Sequence, residues 1–460
     1  RTTASDEGGW LGSRSLFGAL VLPESKHVDR GQLTLFHERT PGRFPFTSTS
    51  MTRSGRRESN ASDLSRATAA VDGKAGGWAL RARGLTGKSV GESPGSLTSP
   101  FSSTFDSTVS LVSLEGRRNS ESGDFLSLRV SDSRIWGLYD RDTASQSTSA
   151  GSRSALSVDT RTSIESFGLR TFGDFVTQTI AASYLGSSTF HQFDADLGQS
   201  WEIPLSSSFM LQPAYRYRSS TGTWVKALAL LNDEGRTRRY LTYSEGFRTP
   251  SLSDRFGSYG TFRGNPGLNS ERSWSAEAGF NTESGERFGS YLEGWALGAA
   301  TYFTRYDDLV DSQTTAGIQS KINAGRARAI GFEANAATTV SVWMLWFGYN
   351  YLDARNESVN EPLRLSPHHQ LSVSAAQQLG PVVIEVRDTY WSEFHDRDPL
   401  TSTLVSLPSW NTIDLELRTL GLTDWEMKAG VLNVFDRPRE LTIGYPEPQR
   451  RIFVSALRFF

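Results

Sequence analysis

The stretch Ile413-Asp414-Leu415-Glu416-Leu417-Arg418 sets an apolar side chain at every second position and a charged one between. Successive side chains of a strand point to opposite faces, so these residues read as a β-strand with one oily face and one charged face. The next segment repeats the pattern, with Trp425, Met427, Ala429 and Val431 against Glu426, Lys428 and Gly430. Upstream, Leu371, Val373 and Ala375 alternate with Gln370, Ser372 and Ser374, and Leu126, Leu128 and Val130 with Ser127 and Arg129. In a soluble sandwich the oily faces would pack on each other. In a membrane barrel they meet lipid and the charged faces line a lumen. Alternation alone leaves both open.

The connections separate the two. Short turns such as Asn232-Asp233-Glu234-Gly235 and Asp72-Gly73-Lys74-Ala75 alternate with segments of about 15 to 25 residues. The long segments fall near 39–59, 86–103, 132–153, 248–270, 307–321, 353–365, 393–406 and 436–448. Between them lie 21 strand candidates, beginning near residues 10, 30, 60, 76, 104, 123, 155, 172, 189, 205, 221, 236, 271, 291, 322, 342, 366, 382, 407, 424 and 449. Hairpin-like spacing throughout predicts an antiparallel meander over 1–460, with no linker and no second domain.

Composition fits an all-β membrane barrel. Aromatics make up 11% of a chain of negative mean hydropathy and recur with Gly, Ser and Thr along its whole length. No run approaches the ~18 apolar residues of a spanning helix. With 48 basic and 50 acidic side chains, net −2, there is no basic excess to attract nucleic acid. The absence of Cys excludes thiol nucleophiles, disulfides and thiolate metal sites. The sequence begins at Arg1 without an initiator Met or an apolar signal region, as expected of a mature form or a fragment.

Tyr243-Ser244-Glu245-Gly246-Phe247-Arg248-Thr249-Pro250-Ser251-Leu252, followed by Gly264-Asn265-Pro266-Gly267-Leu268 and Glu271, resembles the most recognisable signature of TonB-dependent outer-membrane receptors. Pro250 and Pro266 lack an amide donor and end pairing, while Gly264 and Gly267 are expected to supply positive φ. Further segments agree in order: Tyr306-Asp307-Asp308-Leu309-Val310, Asn323-Ala324-Gly325, Tyr351-Leu352-Asp353-Ala354-Arg355-Asn356, then Arg364, Pro367 and His368. Leu432-Asn433-Val434-Phe435-Asp436, Gly444-Tyr445-Pro446 and Arg450 are similar to the family's last hairpin. The likeness is firmest from residue 236 onward and is nearest to the small cobalamin-type receptors, with ferric-siderophore receptors sharing most of these residues. One departure is Arg458, where the family usually has an aromatic or apolar side chain.

Several other constellations have simpler explanations. Gly87-Lys88-Ser89 lacks the earlier Gly of a phosphate loop, since Ala82 stands there. Adjacent His368 and His369 on a strand point to opposite faces and do not share a metal. Adjacent Asp307 and Asp308 are separated by the same alternation and do not form a glycosidase pair. Asp124, Asp132, Asp140 and Asp142 lie near a long segment where cobalamin-type receptors carry calcium-ordered loops. Calcium needs six to eight converging oxygens, and their loose spacing favours a solvated loop without a cofactor. No Ser-His-Asp arrangement points to a hydrolase, and no enzyme is expected.

Aromatic and basic side chains on the long segments suit a bulky amphipathic ligand, and Trp136, Tyr139, Phe256, Tyr259, Phe262, Arg263 and Trp391 are the candidates. For each, a place in an aromatic girdle or in packing within a loop competes with ligand contact. The resemblance implies a 22-stranded barrel in the outer membrane, in contact with lipid and lipopolysaccharide. It also implies uptake of a metal chelate such as cobalamin or a ferric siderophore, driven by TonB-ExbB-ExbD through a plug. The competing reading is a plugless barrel serving an envelope assembly. Counting 21 strands back from a descending last strand places Arg1 to Gly8 at the outer rim. One upward strand and the plug are then expected to have been cut away or to come from a separate chain.

Overall fold

The computed structural model describes residues 2–458, apart from 8–12, 23, 26–27, 52, 59, 96, 98–99, 142–146, 184–187, 260–261, 289–291, 316–317, 399–402 and 421–423. The wall strands, numbered here in chain order, begin with β1 (Thr2–Glu7), β2 (Ser13–Leu22), β3 (Val28–Thr40), β4 (Ser62–Ala75), β5 (Trp78–Gly95), β6 (Pro100–Asn119) and β7 (Phe125–Arg141). They continue as β8 (Ser147–Ile164), β9 (Phe167–Ala182), β10 (Thr189–Pro204), β11 (Phe209–Arg218), β12 (Thr223–Asp233), β13 (Thr237–Arg248) and β14 (Glu271–Phe288). The last are β15 (Leu292–Asp307), β16 (Ala327–Val340), β17 (Trp343–Asn356), β18 (His369–Leu379), β19 (Val382–Trp391), β20 (Trp410–Thr419), β21 (Trp425–Leu432) and β22 (Arg451–Arg458). Among the described residues the sheet holds 23 strands, one of them the two-residue Glu361–Pro362 on the top of β17; the other 22 form a ring.

Each strand pairs antiparallel with the next, and the ring closes on itself. Ala4 of β1 stands opposite Leu16 of β2 on one side and Ala456 of β22 on the other. This corrects the expected open wall of 21 strands. The upward strand is Thr2–Glu7 of this same chain, so Thr2 lies beside Arg458 at the short-turn rim and not at the outer rim. Thr2-Thr3-Ala4-Ser5-Asp6-Glu7 carries no large apolar side chain, and hydrophobic alternation has nothing to register there. The other 21 strands begin within five residues of their expected positions, except β8, which starts at Ser147 rather than near 155. The expected long segments 86–103 and 132–153 are also corrected. They are mostly tall hairpins, with Ser93 opposite Ser103 and Tyr139 opposite Ser147. Their polar composition suits strand that continues above the apolar band.

Register assigns every side chain to a face. Leu415 stands between Val386 and Val431, while Glu416 stands between Glu385 and Gly430 on the opposite face. The rows that hold Leu415 also hold exposed Leu20, Leu35, Leu114, Val130, Leu241 and Leu417. Large apolar side chains open to the surroundings in continuous rows are lipid contacts. Among the described residues no helix is long and apolar enough to cross a membrane. The opposite face carries ladders of ion pairs, including Arg129–Glu115 at 2.8 Å, Arg170–Asp159 at 2.7 Å and Arg161–Glu202 at 2.7 Å. That face lines a polar lumen. Arg458 falls on the lipid face at the short-turn rim, with its guanidinium 5.4 Å from the Trp425 ring centroid. An interfacial indole accepts a cation there, which accounts for the departure from an apolar residue.

Leu415→Arg puts a guanidinium on the lipid face of a central strand and is expected to cost roughly 2 to 4 kcal/mol of assembly free energy. Glu416→Gln, in the lumen, is expected to be nearly silent. Refolding into vesicles, read by heat-modifiable gel migration, compares the two, and equal loss in both contradicts the assigned faces.

Candidate functional site

The outer rim is built by two groups of interlocked loops. In the first, 249–270 and 308–326 share a four-stranded sheet made of Ser258–Tyr259, Phe262–Arg263, Ile318–Asn323 and Val310–Thr315. Ser251 caps the one-turn helix Leu252–Phe256, accepting from the Asp254 amide, and Asp254 accepts in return from the Ser251 amide. The helix turns its apolar side inward, with Phe256 stacked on Phe190 at 3.8 Å between ring centroids and Ile180 and Leu252 packed around them.

The segments that carried the family resemblance act as fasteners here. Asn265 Nδ2 donates to the Lys321 carbonyl at 2.9 Å, and Asn323 donates to the carbonyls of Asn269 and Asp308. Glu271 accepts from the Val310 amide at 2.9 Å. Gly325, at φ +82°, allows the turn in which the Arg326 amide reaches Ser358 Oγ. Gly264 and Gly267 do not adopt the positive φ expected of them. Gly264 is needed for close approach instead, because a Cβ there would stand 2.5 Å from the backbone of Arg255 and Phe256.

The second group joins 41–61, 392–409 and 433–450 around two buried carboxylates. Glu440 is 1% exposed and accepts from Ser48 Oγ, the amides of Thr49 and Ser50, and the Gly444 amide at 2.6 to 3.0 Å. Asp396 is wholly buried, pairs with Arg364 at 2.7 Å and accepts from the Ile443 amide at 3.0 Å. Asn433 closes the base of the last loop by accepting from the Arg437 amide and donating to the Arg437 carbonyl.

Two features of this group have the chemistry of a ligand site. A cavity of about 430 Å³ is lined by Arg43, Phe44, Arg56, Asp436, Arg450 and Arg451, so apolar walls carry four guanidiniums. Glu58 answers two of them, at 3.0 Å from Arg43 and 3.4 Å from Arg56. On inward positions nearby, Trp391 and Trp410 stack at 5.1 Å, Phe394 meets Trp391 edge-on, and the Arg439 guanidinium lies 5.5 Å from the Trp410 ring centroid. Burial pushes the Arg439 pKa down and the Tyr445 pKa up, each disfavouring the charged form.

The sequence-based candidates distribute as follows. Trp391 belongs to this aromatic stack. Phe256 and Phe262 are buried in the first loop group, and Arg263 donates to the Phe262 carbonyl there. The backbone of Tyr259 pairs with Phe262, and its side chain lies outside the described residues. Trp136 is an outward residue of β7, 41% exposed, and Tyr139 of the same strand donates to Ser103 Oγ. Asp142 also lies outside the described residues. Asp124 precedes β7 and Asp140 lies within its last two residues, with Asp132 between them held by Ser154 and Arg134. These carboxylates do not converge, and among the described residues no three acidic or His side chains are grouped to hold a metal. Gly87-Lys88-Ser89 is plain strand in β5. His368 and His369 diverge, toward the Leu352 carbonyl and the Tyr349 hydroxyl. Sequence reasoning missed Trp410, Arg439, Glu440 and Asp396, whose partners are remote in the chain.

The chain matches the family model described as TonB dependent receptor-like, beta-barrel, over residues 20–434. Among solved structures it is similar to a ferric enterobactin receptor variant (PfeA) from Pseudomonas aeruginosa in complex with enterobactin, at 14% identity and TM-score 0.76, covering 99% of this chain and 80% of that one. It is also similar to the siderophore receptor PirA from Acinetobacter baumannii, at 12% identity and TM-score 0.77, over 100% of this chain and 80% of that one. The FrpB iron transporter from Neisseria meningitidis aligns at 12% identity and TM-score 0.79, over 99% and 80%.

Glu440→Ala removes the acceptor of six donors on Ser48, Thr49, Ser50 and Gly444, those of Ser48 and Gly444 buried, and is expected to weaken the second loop group by about 3 kcal/mol. Trypsin should then cut among Arg53, Arg56 and Arg57 roughly a hundredfold faster, while the barrel keeps its resistance to detergent unfolding. Unchanged cleavage contradicts the fastening role.

Proposed function

The chain belongs to the TonB-dependent receptor β-barrel family, and on that premise we propose that it takes up a bulky, scarce metal chelate, such as cobalamin or a ferric siderophore. The family consists of transport receptors rather than enzymes, and its place is the bacterial outer membrane.

The observation that carries the proposal is the pairing of an arginine-lined cavity with the Trp391–Trp410 stack at the mouth of a polar lumen. A large chelate offers apolar ligand faces and charged or hydrogen-bonding edges, and this mouth offers both complements. Packed aromatics and guanidiniums are the residue types that dominate binding energy. The remaining candidates, Trp136, Tyr139, Phe256, Tyr259, Phe262 and Arg263, serve in this reading to shape the loops or to widen the contact. Capture by the loops is followed by passage through the lumen past a plug remodelled by TonB-ExbB-ExbD at the expense of inner-membrane proton-motive force.

Titration calorimetry of the plug-bearing receptor against cobalamin, a ferric tricatecholate and a ferric trihydroxamate tests the reading. One of the three is expected to bind, and Trp410→Ala and Arg450→Ala are each expected to weaken it roughly tenfold. Binding of none of them, with the barrel intact, contradicts uptake and favours a structural barrel.

A further inference from the structure

Three arginines stand side by side on the lipid-facing side of the wall. In β15, Leu297 and Phe303 share a face with Arg305; in β16, Ile330 and Phe332 share that face with Arg328; in β17, Phe347 and Tyr351 share it with Arg355. Register makes them one row, since Arg305 is directly opposite Arg328 and Arg328 directly opposite Arg355. Like charges directly across strands repel. Among the described residues the carboxylates within ion-pair distance are Asp353, at 2.9 Å from Arg355 and 3.8 Å from Arg328, and Glu357, at 3.8 Å from Arg305. One row higher, Arg272 and Asp307 are register partners of opposite charge. Three guanidiniums therefore share two carboxylates, only one contact is at hydrogen-bond distance, and each side chain remains 35 to 41% exposed.

The height of the row gives its meaning. Along β15 the apolar face runs from Trp295 upward, and ten residues at about 3.3 Å each, tilted by about 40°, raise Arg305 roughly 25 Å above that indole. That is the thickness of the apolar band, so the row sits where the outer leaflet's headgroups begin. Phe303, Ile330 and Phe332 lie beneath it and Trp274 beside it.

We propose that Arg305, Arg328 and Arg355 form a seat for the phosphate groups of a phosphorylated lipid of the outer leaflet, with its acyl chains lying on Phe303, Ile330 and Phe332. Guanidinium forks match phosphate oxygens in bidentate geometry, and a bound polyanion removes the repulsion that the row otherwise carries. The seat is separate from the loop cavity and does not depend on which chelate is transported.

Native mass spectrometry of the detergent-purified protein, titrated with diphosphorylated lipid A, dephosphorylated lipid A and inorganic phosphate, tests this seat. The diphosphorylated lipid is expected to bind at least tenfold more tightly than the dephosphorylated one, and excess inorganic phosphate is expected not to displace it. The triple change Arg305→Gln, Arg328→Gln and Arg355→Gln should abolish that preference, and the corresponding triple Lys variant should keep part of it. Arg170→Gln, in the lumen, should leave it unchanged. If the triple Gln variant does not assemble, Arg328→Gln alone should lower the preference at least threefold. Equal binding of both lipids, displacement by free phosphate, or an unchanged preference in the Gln variants overturns the proposal.

Discussion

The structure depends on one constraint: in lipid, a backbone amide or carbonyl that finds no partner in the protein finds none at all. A sheet meets this only by closing, and here closure rests on six residues, Thr2–Glu7, lying between β2 and β22. Without that strand both flanking edges would be open to hydrocarbon along their length. Closure also makes the strand count even, which brings Thr2 and Arg458 to the same rim and leaves all the elaborated connections at the other.

Side-chain alternation was legible wherever one face meets lipid and the other meets the charged lumen. Ile413 to Arg418 shows it most clearly, and the starts of nearly all strands followed from the same reading. It failed where physics removes the contrast. Thr2–Glu7 satisfies the backbone without offering lipid a large side chain, and the tops of β5 to β8 stand above the apolar band, where polar residues occupy both faces. Arg458 breaks the pattern because its neighbour Trp425 supplies a ring for the cation at the interface.

The mouth was legible in its motifs but not in its chemistry. Asn265, Asn323, Arg364 and Asn433 stood out in sequence, and each proves to tie one outer loop to another or to close a loop upon itself. Glu440 gave no local sign, because its donors at Ser48 to Ser50 lie about 390 residues away. Trp410 and Arg439 meet only after two loops fold over β19 and β20, so no spacing in the chain announces them. Gly264 was singled out correctly and explained wrongly, since it makes room for a neighbouring backbone rather than adopting a left-handed turn.

The central claim, that this chain closes its own wall through its first strand, is tested most directly by cross-linking across the seam. Cysteines introduced at Ala4 and Ala456 are register partners on neighbouring strands, whereas Leu16 and Ala456 lie two strands apart, roughly 10 Å. In a chain with no native Cys, oxidation of the membrane-inserted protein should join the first pair and leave the second unlinked. Cross-linking of Leu16→Cys to Ala456→Cys with none for the first pair would mean that β2 meets β22 directly, and the closed 22-strand ring would be wrong.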